Sequence, residues 1–276
     1  MSEAAADQSS ETDVVEVTQE GRVRTIRLNR PKKMNAISEQ LAWAVLDAVD
    51  DAKNDDDTWI IGLTGTGRAF CAGLDLTGDR SVDHSGMTTQ NSLLDDLGWV
   101  SRFCSDLRYG CDKPIVAGIN GVAVGAGLSL ALAADIRLMA RSARLMAGYP
   151  RIGGSPDGGM SYTLSQLVGY EQAMRFLLEN RTVEGDEAHS MGLVGEVVDD
   201  DAFDARFAAY CQQLAMISPI TGRSTKRVVR EATAHRDLEG QLRYELHHIR
   251  RAFGSDDGQE ARAAFLEKRD PEFKGS

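Results

Sequence analysis

A chain of 276 residues with 42% hydrophobic and 26% charged side chains has the make-up of a soluble globular protein with a sizeable core, as one large domain or a domain with an appendage. Its formal net charge of -11 argues against non-specific binding to nucleic acid or anionic membrane, while Lys32, Lys33 and Arg68 could still form a local patch for a phosphorylated small molecule. Cys71, Cys104, Cys111 and Cys211 form no CxxC and no Cys/His cluster, so neither a metal site nor a disulfide framework is expected.

Residues 1–12, within MSEAAADQSSETD, are small, polar and acidic; they read as a disordered tail rather than a signal peptide. No apolar run approaches the roughly 20 residues that span a bilayer, and a cytoplasmic location is expected. VVEV and RVRTIRL, joined through QEG, predict a hairpin ended by Pro31. Ser38 is placed to cap a helix through ISEQLAWAVLDAVDDAK, with Leu41, Val45, Ala48 and Ala52 on one face. WIIGLT reads as a buried strand, and the strand–helix–strand order predicts a parallel sheet. GRAFCAGLDL and a polar stretch from about Thr77 to Asn91 follow; His84 there reads as a solvated loop residue. One amphipathic helix is predicted to carry Leu94, Leu97, Val100, Cys104 and Leu107.

PIVAGI is the next predicted strand, NGVAVGAG leads into a helix at LSLALAAD, and IRLMA and RLMAG read as further strands. GGSPDGGMSYTLSQLVG is a loop entering a helix, and EQAMRFLLEN forms another. Beyond about Asp199 the pattern is helical, with His247 and His248 placed on a surface or a subunit contact. The expected organisation is a βα core over 13–199 followed by a helical region over 200–276.

Two glycine-rich loops carry the chemical signal. Glycine permits close backbone approach and unusual dihedrals, so GRAFCAGLDL can aim several N–H groups at one acceptor. In NGVAVGAGLS the glycines precede an apolar helix, whose first N–H groups lack intrahelical partners and suit a negatively polarised oxygen. Tight turns and close helix packing are the bland alternatives. Neither loop is a P-loop, a dinucleotide fingerprint or a GxSxG elbow. Asp157, in SPDGG, is either an ordinary N-cap or a functional carboxylate.

LNRPKKMNAIS, GRAFCAGLDL, INGVAVGAGLSLALAADIRL and AFLEKRDPEF together resemble the crotonase superfamily, the enoyl-CoA hydratase/isomerase family, over nearly the whole chain. The resemblance implies an α/β fold, a crotonase-like spiral of ββα units with a C-terminal helical trimerisation region, assembled as a homotrimer or a dimer of trimers. It implies an acyl-CoA substrate, with coenzyme A present only as part of that substrate and no separate cofactor. The thioester oxygen would be held by the N–H groups of Leu74 and Ala126. Lys32, Lys33, Met34, Ala72 and Gly73 would lie along the CoA moiety, with Phe265 and Lys268 supplied by a neighbouring subunit.

Ser129 and Tyr149 align with the two glutamates of the family's hydratases, and neither is a base near neutral pH. Efficient hydration is therefore not expected. The SPDGG segment resembles the acidic loop of enoyl-CoA isomerases, which implies that Asp157 is an acid/base catalyst of double-bond migration. The same stretch also resembles 4-chlorobenzoyl-CoA dehalogenase, whose histidine aligns with about Arg102. A non-catalytic acyl-CoA binder is the reading from a different class.

Overall fold

The computed structural model describes residues 13–77, 88–234 and 237–276. The predicted tail over 1–12 and most of the polar stretch, His84 included, lie outside the described residues. The expected hairpin forms: β1 (Val15–Glu20) runs antiparallel to β2 (Val23–Leu28), with Gly21 at φ 56° in the turn. Helix α1 (Glu39–Asn54) begins where Ser38 Oγ accepts from Leu41 N, and it buries Leu41, Val45, Ala48 and Ala52. Strand β3 (Ile60–Gly65) is buried at every position, as expected of a parallel strand covered on both faces.

From β3 onward the chain repeats one manoeuvre. A strand joins a large sheet, a three-residue strand joins a smaller one, and helices return the chain. The pairs are β3 with β4 (Ala69–Cys71), β5 (Ile115–Ile119) with β6 (Val122–Val124), and β7 (Ile136–Ala140) with β8 (Arg144–Met146). The helices that intervene are α2 (Thr89–Leu94) and α3 (Gly98–Arg102), then α4 (Ala126–Ala133). After β8 come α5 (Met160–Val168), α6 (Tyr170–Glu179), the short β9 (Val183–Glu184), α7 (Gly185–Ser190) and β10 (Glu196–Val198). The large sheet has the order β1-β2-β3-β5-β7-β10 and the small one β4-β6-β8-β9. Apart from β1–β2 and β8–β9 all pairings are parallel. This is the spiral of ββα units that the resemblance implies.

The predicted single helix around Leu94 to Leu107 is not formed. Asp95 ends α2, and its carboxylate accepts from Leu97 N and Gly98 N, while Gly98 sits at φ 66°. Helix α3 then runs into a π-helical segment, Phe103–Gly110. Of the predicted face Leu107 is buried, and Phe103 is buried beside it in the π-helical turn, whereas Leu94 and Leu97, before the break, are exposed. A pattern at regular α-helical spacing cannot anticipate either interruption.

The C-terminal helices are α8 (Phe203–Leu214), α9 (Pro219–Ala234), α10 (Leu238–Gly254) and α11 (Asp256–Glu267). Helix α8 lies on the large sheet because Gly62 of β3 and Gly118 of β5 leave room for the Phe207 ring. A Cβ at Gly118 would meet that ring at 2.7 Å. His248 of α10 is buried against Tyr244, not at the surface. Burial, its first cause, holds the imidazole below its ordinary range.

Helix α9 is tied to the core by Lys226. Its buried Nζ donates to the carbonyls of Leu107 at 2.9 Å and Lys113 at 3.1 Å, and pairs with Asp135 at 2.8 Å. Replacing Lys226 by Ala takes the cation from Asp135, which keeps the Ile115 N–H, and removes the shared donor of two carbonyls. Lys226→Ala is expected to lower the unfolding free energy by about 3 kcal/mol, read from urea denaturation midpoints at constant m.

Candidate active site

The small sheet builds the site. Strands β4, β6 and β8 are parallel neighbours, and a candidate residue follows the C-terminal end of each: Leu74 after β4, Ala126 after β6 and Tyr149 after β8. β4 and β6 were hidden in the sequence within what read as loops. Each is only three residues long and carries no alternation that could reveal it.

Two glycine contacts press the first two loops together. A Cβ at Gly127 would stand 2.3 Å from the Cys71 carbonyl oxygen and 2.6 Å from its Sγ. Gly73, at φ 98°, passes the Val124 carbonyl so closely that a Cβ would approach it to 2.9 Å. Buried on all sides, the Cys71 thiol is pushed up to about 12 and takes no part as a nucleophile near neutrality.

Backbone pairing decides where the Leu74 amide points. Ile37 N donates to Gly73 O at 2.7 Å and Asp75 N donates to Ile37 O at 2.9 Å, so Ile37 is bonded to the residues flanking Leu74. As in any parallel ladder, the intervening residue turns its own N–H to the other side. Ala126 is the first residue of α4. The helix's first bond runs from Ser129 N to Gly125 O at 2.9 Å, which leaves the Ala126 N–H without an intrahelical partner. Gly125, at φ 53° and ψ -126°, supplies the backbone turn that starts the helix there.

Residues from LNRPKKMNAIS brace the first loop. Met34, at φ 51°, accepts from Ala72 N at 3.0 Å, and buried Asn35 donates to Thr66 O at 3.0 Å and Ala69 O at 2.8 Å. Arg30 pairs with Asp75 at 2.9 Å, immediately after Leu74. The Thr77 hydroxyl and then Arg30 hold the Asp75 carboxyl at about 2. Arg30, Asn35 and Asp75 all lie inside the recognised motifs, but nothing in their spacing marked them as braces. Lys32 and Lys33 project from the same turn; both are exposed, and Lys33 Nζ donates to Thr77 Oγ1 at 3.3 Å.

Asp157 is not an N-cap. Helix α5 is capped by Gly159 at φ 79° without a side-chain bond, and Asp157 contributes only its carbonyl, to Met160 N at 3.0 Å. Its carboxylate turns instead to the phenol of Tyr149, which donates to Oδ1 at 2.8 Å. Ser129 of α4 donates to the Asp157 carbonyl at 3.0 Å and lies 3.3 Å from the Tyr149 hydroxyl. Gly158, at φ 59°, fits against Ser129 and Val100, and Gly159 against Cys104. Burial raises the Asp157 carboxyl above its ordinary range, with the Tyr149 hydrogen bond acting in the opposite direction. Burial likewise raises the Tyr149 phenol, which therefore stays a donor.

Leu74, Ala126 and Asp157 are thus brought to one place by three successive turns of the spiral. Ala72, Gly73 and Met34 belong to the same loop cluster. Phe265 and Lys268 do not: Phe265 is 83% exposed on α11, and Lys268 is the exposed C-cap of that helix. Neither shares a hydrogen bond or ion pair with the two loops among the described residues.

A model of the enoyl-CoA hydratase/isomerase family matches residues 18–276. The chain belongs to this family. It is 35% identical over 260 residues to 1,2-epoxyphenylacetyl-CoA isomerase of Escherichia coli K12, covering 92% of this chain and 95% of that protein. It is 32% identical over 246 residues to 4-chlorobenzoyl coenzyme A dehalogenase-2 of an Arthrobacter species, covering 89% and 88%. A crystal structure of a probable enoyl-CoA hydratase/isomerase from Mycobacterium abscessus superposes with a TM-score of 0.85 at 28% identity, covering 96% of this chain and all of that one. The chain is accordingly an acyl-CoA enzyme with the crotonase fold; isomerases, hydratases and dehalogenases all occur at this distance. Among the described residues no helix is long and apolar enough to cross a membrane.

Two outcomes follow from the site's geometry. In an open helix Gly127→Ala would gain about 1 kcal/mol. Here the methyl group meets a backbone carbonyl that cannot rotate aside, and overpacking of roughly 1–3 kcal/mol dominates. Gly127→Ala should therefore melt lower than wild type by differential scanning calorimetry.

Asp157→Asn keeps an acceptor for Tyr149 but cannot ionise. Because the folded-state pKa of Asp157 is raised, ionisation opposes folding; the penalty is absent below the unfolded pKa and complete above the folded one. Asp157→Asn should match wild type in strongly acidic buffer and become progressively more stable than wild type as pH rises through the carboxylate range, read by denaturation at each pH.

Proposed function

We propose that the enzyme moves the double bond of a 3-enoyl-CoA into conjugation, giving the 2-enoyl-CoA. The observation that carries this reading is a single raised carboxylate, Asp157, held by Tyr149 and Ser129 where a hydratase would place two further carboxylates. Hydration requires one group to activate water and another to protonate carbon. Isomerisation requires one group that takes a proton and gives the same proton back.

On this reading the N–H groups of Leu74 and Ala126 hold the thioester oxygen. Asp157 takes the proton from C2, and the C–H electron pair moves into the thioester as an enolate conjugated with the existing double bond. The oxyanion is stabilised by the two main-chain donors, each contributing roughly 3 kcal/mol. Asp157 then returns the proton to C4, the double bond settles between C2 and C3, and the carboxylate is regenerated. Partial desolvation keeps the carboxylate a stronger base than a solvated aspartate.

Lys32 and Lys33 would meet the CoA phosphates, with Met34, Ala72 and Gly73 along the adenine. Residues 13–199 would act as the catalytic unit and 200–276 as an oligomerisation region forming a trimer or a dimer of trimers. A groove of about 760 Å³ between α9, α10 and α11, with exposed Ile249, Phe253, Phe265 and Leu266 on its walls, supports that assignment. In such an assembly Phe265 and Lys268 would complete a neighbour's CoA site.

Dehalogenation is supported less well. Its hydrolytic step needs a base, and Arg102, at about the position of the dehalogenase histidine, is a cation paired with Asp95 at 2.8 Å.

The reading is tested by turnover of 3-enoyl-, 2-enoyl- and aryl-CoA esters. Wild type should convert the 3-enoyl ester, and Asp157→Ala should lower kcat by roughly 10²- to 10⁴-fold. CoA should raise the melting temperature of both proteins alike. Unchanged conversion by Asp157→Ala, or rapid hydration of crotonyl-CoA by wild type, would overturn it.

A further inference from the structure

We infer that Tyr149 is a positioning residue: its phenol fixes Asp157 through Oδ1, so that the carboxylate meets the substrate through its other oxygen alone. The rate consequence rests on the isomerase reading; the ionisation consequence does not.

The proton count supports this role. The Tyr149 hydroxyl has one hydrogen and two neighbours, Asp157 Oδ1 at 2.8 Å and Ser129 Oγ at 3.3 Å. The contact to the carboxylate is the shorter and is charge-assisted, so the phenolic hydrogen is committed there. Ser129 in turn spends its hydrogen on the Asp157 carbonyl at 3.0 Å, with the Gly125 carbonyl at 3.3 Å as the alternative. Ser129 and Tyr149 thus hold the same residue at two points, one on its main chain and one on its side chain. The second carboxylate oxygen receives no side-chain hydrogen bond among the described residues. Tyr149 itself is 6% exposed, with its ring anchored in the 3₁₀ turn at the end of β8. A carboxylate held in this way must break that hydrogen bond before it can rotate to exchange its oxygens. A proton shuttle between C2 and C4 gains from that constraint, because one oxygen must reach both carbons from one side.

Among the described residues the groups that face Asp157 from neighbouring elements are few. They are the Tyr149 phenol from the 3₁₀ turn, the Ser129 hydroxyl from α4, and the Cys104 thiol of the π-helix, which lies against Gly159. Cys104 is itself raised by burial and neutral across the relevant range. Arg102, on the same helical segment, is committed to Asp95. The Tyr149 bond is therefore the principal influence that opposes burial at Asp157, and removing it has a predictable sign.

The decisive comparison is wild type, Tyr149→Phe and a protein with 3-fluorotyrosine at position 149, a more acidic phenol and stronger donor. Two measurements are made on each: the pH profile of kcat for 3-enoyl-CoA isomerisation, and the titration of Asp157 by ¹³C-carboxyl NMR. Tyr149→Phe should raise the Asp157 pKa by about one unit and move the acidic limb of kcat with it. The plateau of kcat should fall roughly ten- to hundredfold with KM changed less than about twofold. Fluorotyrosine should shift the titration the opposite way. An Asp157 titration that moves in neither variant overturns the inference, as does a Tyr149→Phe enzyme with wild-type kcat and pH profile. If wild type converts no enoyl-CoA ester, the isomerase reading fails, and the NMR titration alone decides the role of Tyr149.

Discussion

Everything at the site depends on how closely two stretches of main chain can approach each other. Gly127 lies against the Cys71 carbonyl, and Gly73 passes the Val124 carbonyl, at distances no side chain could share. That contact brings the end of β4 beside the start of α4, and with them an amide from a loop and an amide from a helix terminus. The parallel pairing of β4, β6 and β8 repeats the same geometry on three turns of the spiral. The third turn delivers a phenol, and through it a carboxylate. The frame is built from backbone and glycine; the side chains that choose the chemistry are added at its edge.

Electrostatics at the two ends of the site run in opposite directions. Asp75, next to Leu74, is held ionised by a hydroxyl and a guanidinium, and works as a brace. Asp157 is partly stripped of water, so its proton affinity rises even though the neutral Tyr149 donor pulls the other way. Two aspartates of the same intrinsic acidity are thereby separated into a structural ion and a carboxyl of raised proton affinity. At Asp157 burial raises the proton affinity and the Tyr149 hydrogen bond offsets part of that rise.

Much of this was legible in the amino-acid sequence. The hairpin, the Ser38 cap, α1 and the buried β3, β5 and β7 follow from alternation, helical periodicity and apolar runs, all of which are local signals. The glycine loops and Asp157 were visible as chemistry without an address. What could not be read was non-local or irregular. β4 and β6 are too short to show a period and exist only because each pairs with its neighbour. The helix around Val100 is broken by Asp95 and Gly98 and then widened into a π-turn, which no regular spacing encodes. Asp157 looked equally like a cap, and only the position of Tyr149, eight residues earlier in the same connection after β8, decides between the two.

The use of main-chain donors has a consequence for how such a protein can vary. An amide N–H is present whatever the side chain, so Leu74 and Ala126 can be exchanged for many residues without loss of the hydrogen. What the site cannot absorb is a change in length. One residue inserted between Cys71 and Leu74, or between Val124 and Ala126, would shift the loop's register against its neighbour and re-aim the amide. Variation by insertion or deletion is therefore closed in these loops, while substitution is open only where a side chain has room, which excludes Gly73 and Gly127. Side chains such as those of Ser129, Tyr149 and Asp157 can change on a loop register that stays the same length.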